Sequence, residues 1–115
     1  MELPIEFVIR AGQADTAETL REYAVRRLSF ALRRFGHRIH HVTVRLVDLN
    51  GPRRGIDSRC SITADLVGGR RIFVDATTAW PFASVSRAAG RLNAAVSREL
   101  RRETVHRESR AIRSF

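Results

Sequence analysis

The chain of 115 residues has no lysine, a single cysteine, few aromatic residues (7%) and no apolar run long enough to span a membrane. The lone Cys60 rules out an internal disulfide and gives no metal-ligand spacing, which suits a reducing compartment and a buried apolar role for the thiol. A membrane helix needs about 20 apolar residues. The opening MELPIEF carries acids where a secretory leader would carry bases, so the expected location is cytoplasmic, with no membrane partner. The patterns G-x-x-x-x-G-K, G-x-S-x-G and C-x-x-C are also missing, and an enzyme, a cofactor or a catalytic residue finds no support. Exposed Asn and Gln are scarce, and stacking aromatics reduce to Phe73, Tyr23 and Trp80, which disfavours sequence-specific reading of bases.

What is present is arginine. All 21 basic residues are Arg against 12 acids, for a net charge of +9 and a pI near 11.6. The guanidinium stays charged, grips phosphate oxygens through two hydrogen bonds and stacks on bases, so this balance points to a polyanionic partner, above all nucleic acid. A codon bias toward Arg accounts for the missing Lys but not for the excess of positive charge. With 43% hydrophobic residues the length suits one compact domain.

Pro4 to Arg10 alternates as a half-buried strand with Ile5, Phe7 and Ile9 on one side, and Gly12 breaks it. Asp15 or Thr16 is a candidate N-cap for a helix to about Phe35, with Leu20, Ala24, Leu28, Ala31 and Phe35 on one face and Gly36 as the stop. Strands follow at Ile39 to Leu49, at Ser58 to Val67 after the turn-rich NGPRRGID, and at Arg70 to Thr77 after a Gly68-Gly69 hairpin. A second helix starts near Pro81. The predicted fold is α+β, in the order βαβββα: a four-stranded mixed sheet, its first two strands parallel, with two helices packed on one face. The other face would carry Arg10, Arg45, Arg59, Arg71 and Phe73. Residues 1–104 form the expected domain, and the basic tail 105–115, VHRESRAIRSF, lacks clear periodicity and is expected to be flexible.

The second helix carries the main functional signal, in SRAAGRLNAAVSRELRR. At about 100° per residue Arg87, Arg91, Arg98 and Arg102 share a stripe about 60° wide, opposite Val85, Ala89, Leu92, Val96 and Leu100. Arg101 lies beside that stripe. The first helix adds Arg26 with Arg33 and Arg27 with Arg34, each pair two turns apart. Taken singly, a charged helix face is solvated surface; two net-positive helices and a basic tail together point to nucleic acid held by its phosphates and read by shape. In HRIHH, His40 and His41 of a strand would face opposite ways with no acid at ligand spacing, so metal is not expected. Asp48, Asp57, Asp65 and Asp75 fall at strand ends and turns, where Asp is common for structural reasons.

The βαβββα order, TLREYAVRRL in the first helix, the strand-turn-strand VRLVDLNGPRRGIDSRCSI and a closing helix entered through WPFASVSRAAGRL together resemble the ribosome hibernation-promoting factor family, also called the ribosome-associated inhibitor or sigma-54 modulation (S30AE) family. The resemblance covers about Pro4 to Arg102 and fits a short form without the C-terminal domain that pairs ribosomes. It implies a protein that enters the small ribosomal subunit, contacts 16S rRNA on 70S ribosomes, occupies the channel of mRNA and of A-site and P-site tRNAs, and blocks translation in resting cells in a stress response. Carried over by position, the matching bases are Arg26 or Arg27 and Arg34, then Arg87, Arg91, Arg98 and Arg102. Two positions depart from the family pattern: Phe82 stands where an aromatic with a hydroxyl is common, and Ser86 where a carboxylate is. A general double-stranded RNA binder and a small protein-binding regulatory module are the alternatives. Sedimentation of lysates separates the three, into ribosomal fractions, ribosome-free RNA, or neither.

Overall fold

A computed structural model describes residues 4–10, 14–48 and 57–113. Its elements are β1 (Ile5–Arg10), α1 (Ala14–Ala31), β2 (Ile39–Asp48), β3 (Ser58–Leu66), β4 (Arg71–Thr78) and α2 (Pro81–Arg113), with a 3-10 turn over Arg33–Arg38. The strands lie in the order β1-β2-β3-β4. β1 runs parallel to β2 and the other neighbours are antiparallel, so that Phe7, Val44, Ile62 and Val74 form one row across the sheet. This is the expected α+β arrangement. The predicted NGPRRGID turn, apart from Asp57, and the strand break at Gly12 lie outside the described residues.

Alternation sets which face is covered. Val42, Val44, Leu46, Cys60, Ile62, Ala64 and Leu66 are buried, while Arg45, Arg71 and Phe73 on the opposite face stay exposed. Above the covered face, Leu20, Ala24 and Leu28 of α1 and Val85, Ala88, Ala89, Leu92 and Val96 of α2 complete the core. The helices lie side by side and run parallel: Tyr23 meets Phe82, Arg27 meets Ser86, and the Ala31 carbonyl accepts the Asn93 amide, so both chains advance together. At the far end of β3, Gly68 and Gly69 turn the hairpin with φ of 104° and 94°, where a side chain would be strained.

Four details differ from the sequence reading. α1 begins at Ala14, which puts Asp15 and Thr16 within its first turn rather than at its N-cap. It also stops at Ala31, and the chain tightens into the 3-10 turn, which runs through Gly36; Leu32 is fully buried beside Phe35, while Ala31 is half-buried and packs against the core. In β2, Ile39 pairs with Leu66 and His41 with Asp65, leaving His40 as a bulge residue without a partner across the ladder. The bulge breaks the alternation assumed for HRIHH and keeps both imidazoles out of the core between buried Ile39 and Val42. Finally, α2 continues to Arg113, so residues 105–113 of the expected flexible tail are helical. No Gly or Pro follows Gly90 to stop it, and Arg107 pairs with Glu103 at 3.6 Å one turn back.

The entry into α2 is pinned by a buried hydroxyl. Ser84 Oγ donates to the Ser58 carbonyl (2.7 Å) and accepts the Thr78 amide (3.1 Å), tying the helix to the start of β3 and the end of β4. Truncating it takes this partner from a partly buried carbonyl and amide. Ser84→Ala is therefore expected to lower the free energy of unfolding by about 1–3 kcal/mol in urea titrations, and an unchanged midpoint would show that the hydroxyl does not hold the helix.

Candidate nucleic-acid interface

The outward surface of the helix layer is built by the rotation of α2. Its buried stripe turns Arg87, Arg91, Arg98, Arg101 and Arg102 to solvent. From Pro81 to Arg98 the helix has no acid at all. Its first two acids, one turn apart, point the other way: Glu99 pairs with Arg70 of the β3–β4 hairpin, and Glu103 pairs with Arg38 of the 3-10 turn at 3.1 Å. The Glu99 side chain is only 18% exposed. Negative charge on this part of α2 is thus spent on anchoring, and positive charge is left outside.

α1 contributes less evenly. Over Ala14–Ala31 its acids Asp15, Glu18 and Glu22 balance Arg21, Arg26 and Arg27, and the basic excess comes from the 3-10 turn that follows. Arg26, Arg33 and Arg34 are exposed, whereas Arg27 is half-buried in the seam between the helices with its guanidinium 3.2 Å from Ser86 Oγ. Arg34 bridges the same seam to Asn93 Oδ1 at 3.5 Å and lies over the Phe35 ring at 4.6 Å. Arg33 sits 5.6 Å from the exposed Phe30 ring. On α2, Arg91 donates to the Asp75 carbonyl at 2.6 Å, and Arg102 stands 3.8 Å from Glu99. The nine arginines singled out from sequence therefore fall on one layer: eight reach solvent, and Arg27 is partly committed to helix packing.

The open sheet face is electrically mixed. Arg59 pairs with Asp75 at 2.7 Å and Arg71 with Asp65 at 2.6 Å, so these carboxylate and guanidinium groups neutralise one another. These pairs also explain two of the four strand acids as structural partners. Among the described residues no three His, Cys, Asp or Glu side chains gather as metal ligands, and no helix is long and apolar enough to cross a membrane.

A family model described as sigma 54 modulation protein / S30EA ribosomal protein matches residues 7–104. The chain belongs to that family. Two solved structures share the S30EA-type fold. The Protein Y N-terminal domain of Thermus thermophilus is 23% identical, with a TM-score of 0.66 over 85% of this chain and 98% of that one. A ribosomal subunit interface protein from Coxiella burnetii is 14% identical, with a TM-score of 0.69 over 84% and 97%. A search of curated proteins finds no match.

Sequence reasoning missed the anchoring pairs, although the signal was present. Glu99 and Glu103 fall on the wheel toward Leu92 and Val96 rather than with the arginines, and an acid on a buried face needs a cation. Arg38 and Arg70 supply it. Nothing local identified those two, because they come from a turn and a hairpin distant in sequence.

Cys60 takes no part in the interface. It is fully buried in β3, and burial raises its thiol from the ordinary 9.0 to about 12. An acid whose pKa rises on folding is neutral in both states below the unfolded value, then favours unfolding as pH climbs toward the folded one. Two results are expected: a thiol reagent at neutral pH labels Cys60 only as fast as the protein opens, and Cys60→Ala flattens part of the stability loss between about pH 9 and about pH 12. Rapid labelling of the folded protein would contradict the burial.

Proposed function

We propose that this S30EA-family protein is a ribosome hibernation factor that binds 16S rRNA of the small subunit through its helix layer. It fills the channel used by mRNA and by A-site and P-site tRNAs, and silences 70S ribosomes in resting cells. The observation that carries this reading is the charge separation on α2, whose acids at Glu99 and Glu103 turn inward to Arg70 and Arg38 while Arg87, Arg91, Arg98, Arg101 and Arg102 face out. An rRNA-lined channel presents phosphates in fixed positions but no single strand to copy, and arginine ridges on a rigid layer suit that surface. Each phosphate neutralised releases counterions, so affinity depends on charge and falls with salt.

The protein acts in the cytoplasm by occupancy, as a monomer off the ribosome, and needs neither a cofactor nor a reaction. Family membership supports the ribosome as partner over a free RNA duplex. It follows that a small subunit saturated with this protein excludes initiator tRNA and mRNA in filter-binding competition; full binding of both would place the protein elsewhere.

Charge reversal separates binding from folding. Arg87→Glu, Arg91→Glu and Arg98→Glu together should abolish co-pelleting with ribosomes while changing stability by about 0.5 kcal/mol or less at Arg87 and Arg98 and by about 0.5–1.5 kcal/mol at Arg91, which loses its hydrogen bond to the Asp75 carbonyl. Leu92 is fully buried on the opposite side of the helix. Leu92→Ala should cost about 2–5 kcal/mol through lost burial and a cavity, with binding retained by the fraction that stays folded. A folded triple variant that pellets normally would show that these arginines face only water.

A further inference from the structure

Trp80, the sole tryptophan, is left out of the core and out of the arginine set, yet it is held in place. Its indole is 62% exposed. The backbone beneath it is fixed on both sides: the Trp80 amide donates to Thr78 Oγ1 at 3.1 Å, the Thr78 hydroxyl donates back to the Trp80 carbonyl at 2.7 Å, and that carbonyl accepts the Ser84 amide at 3.0 Å as the first bond of α2. The ring is supported as well. It lies 5.2 Å from Phe82 at 46°, and Phe82 in turn meets the edge of Tyr23 of α1 at 5.2 Å and 70°. Three aromatic rings thus run from the helix seam to the surface, and the last of them is open to solvent.

Its place relative to the arginines follows from the helix it caps. The Trp80 carbonyl accepts the first bond of α2, so residue 80 stands at the N-terminal end of the helix with its ring leaning on Phe82. Arg87 is the first arginine of the outward stripe to follow it. Seven residues of helix separate it from Arg87 by about 10 Å, within reach of one or two nucleotides of an unstacked strand. No acid occupies the first turn of the helix between them.

We propose that Trp80 is a base-stacking platform, which takes one unpaired nucleobase of the RNA whose phosphates the arginine stripe holds. The proposal rests on the reading of the helix layer as an RNA surface and adds to it a chemical class of contact, a base displaced from its stack. An apolar ring beside a purely cationic stripe suits this ligand, because a nucleotide offers a flat π face and an anion a short distance apart, and stacking accepts any base. Phe82 and Tyr23 serve as positioning residues that keep the indole from folding back.

The sole tryptophan makes the test direct, since all indole fluorescence comes from residue 80. At low salt the full chain is titrated with a short single-stranded adenylate RNA and with an abasic sugar-phosphate strand of equal length. The adenylate strand is expected to quench the fluorescence and the abasic strand to bind without quenching. Trp80→Ala should weaken binding of the adenylate strand by about 5- to 150-fold, the range for one stacked base, and leave the abasic strand unchanged, while Trp80→Phe retains most of the affinity. Thermal melts of both variants check that the fold persists. Binding of both strands with equal quenching, or with none, overturns the stacking role and leaves the arginine reading intact. If neither strand binds, both readings fall.

Discussion

Packing of the α2 apolar stripe against β3, β4 and α1 sets the rotation of that helix, and the direction of every outward arginine follows from it. Val85, Ala88, Ala89, Leu92 and Val96 are fully buried together with Ser84, so the helix cannot turn without exposing apolar surface or stripping a hydroxyl of its partners. Glu99 and Glu103 extend the same constraint past the end of the core. Their pairs with Arg70 and Arg38 fasten the helix where apolar contacts thin out after half-buried Leu100.

The same constraint sorts charge by side. α2 carries five net positive charges, and two of its acids, Glu99 and Glu103, lie at its half-buried edge rather than among the outward arginines, while Glu108 is exposed beyond them. The open sheet face does the opposite, pairing Arg59 with Asp75 and Arg71 with Asp65 across the β3–β4 ladder. One surface of the molecule is thereby left strongly cationic and the other nearly balanced. That asymmetry makes the helix layer the side with the larger positive potential.

Much of this was legible in the sequence, because burial in a two-layer α+β fold leaves its period in the chain. The strands from Ile5, Ile39, Ser58 and Arg71 and the start of α2 at Pro81 fall within one or two residues of their alternation and turn signals. The burial of Val85, Ala89, Leu92 and Val96 opposite the arginine stripe was also readable from a wheel. Local pattern failed where a long-range or geometric term took over. Leu32 joined the core because its amide still bonds the Leu28 carbonyl, one helical turn back in the series Leu20, Ala24 and Leu28, and His40 became a bulge because Ile39 and Val42 both had to reach the core. The helical continuation past Thr104 carries no apolar face to announce it, being held by side-chain pairs along its own surface, such as Arg110 Nε with His106 Nε2 at 3.4 Å. The partial withdrawal of Arg27 into the seam depended on Ser86, far away in sequence.

A density map of the protein on the 70S ribosome tests the central claim most directly. The account predicts the helix layer against 16S rRNA in the mRNA and tRNA channel, with the Arg87 to Arg102 side of α2 on the phosphate backbone and the sheet face turned away. Density that puts the sheet face on the rRNA, or that leaves the α2 arginines in solvent, would contradict it.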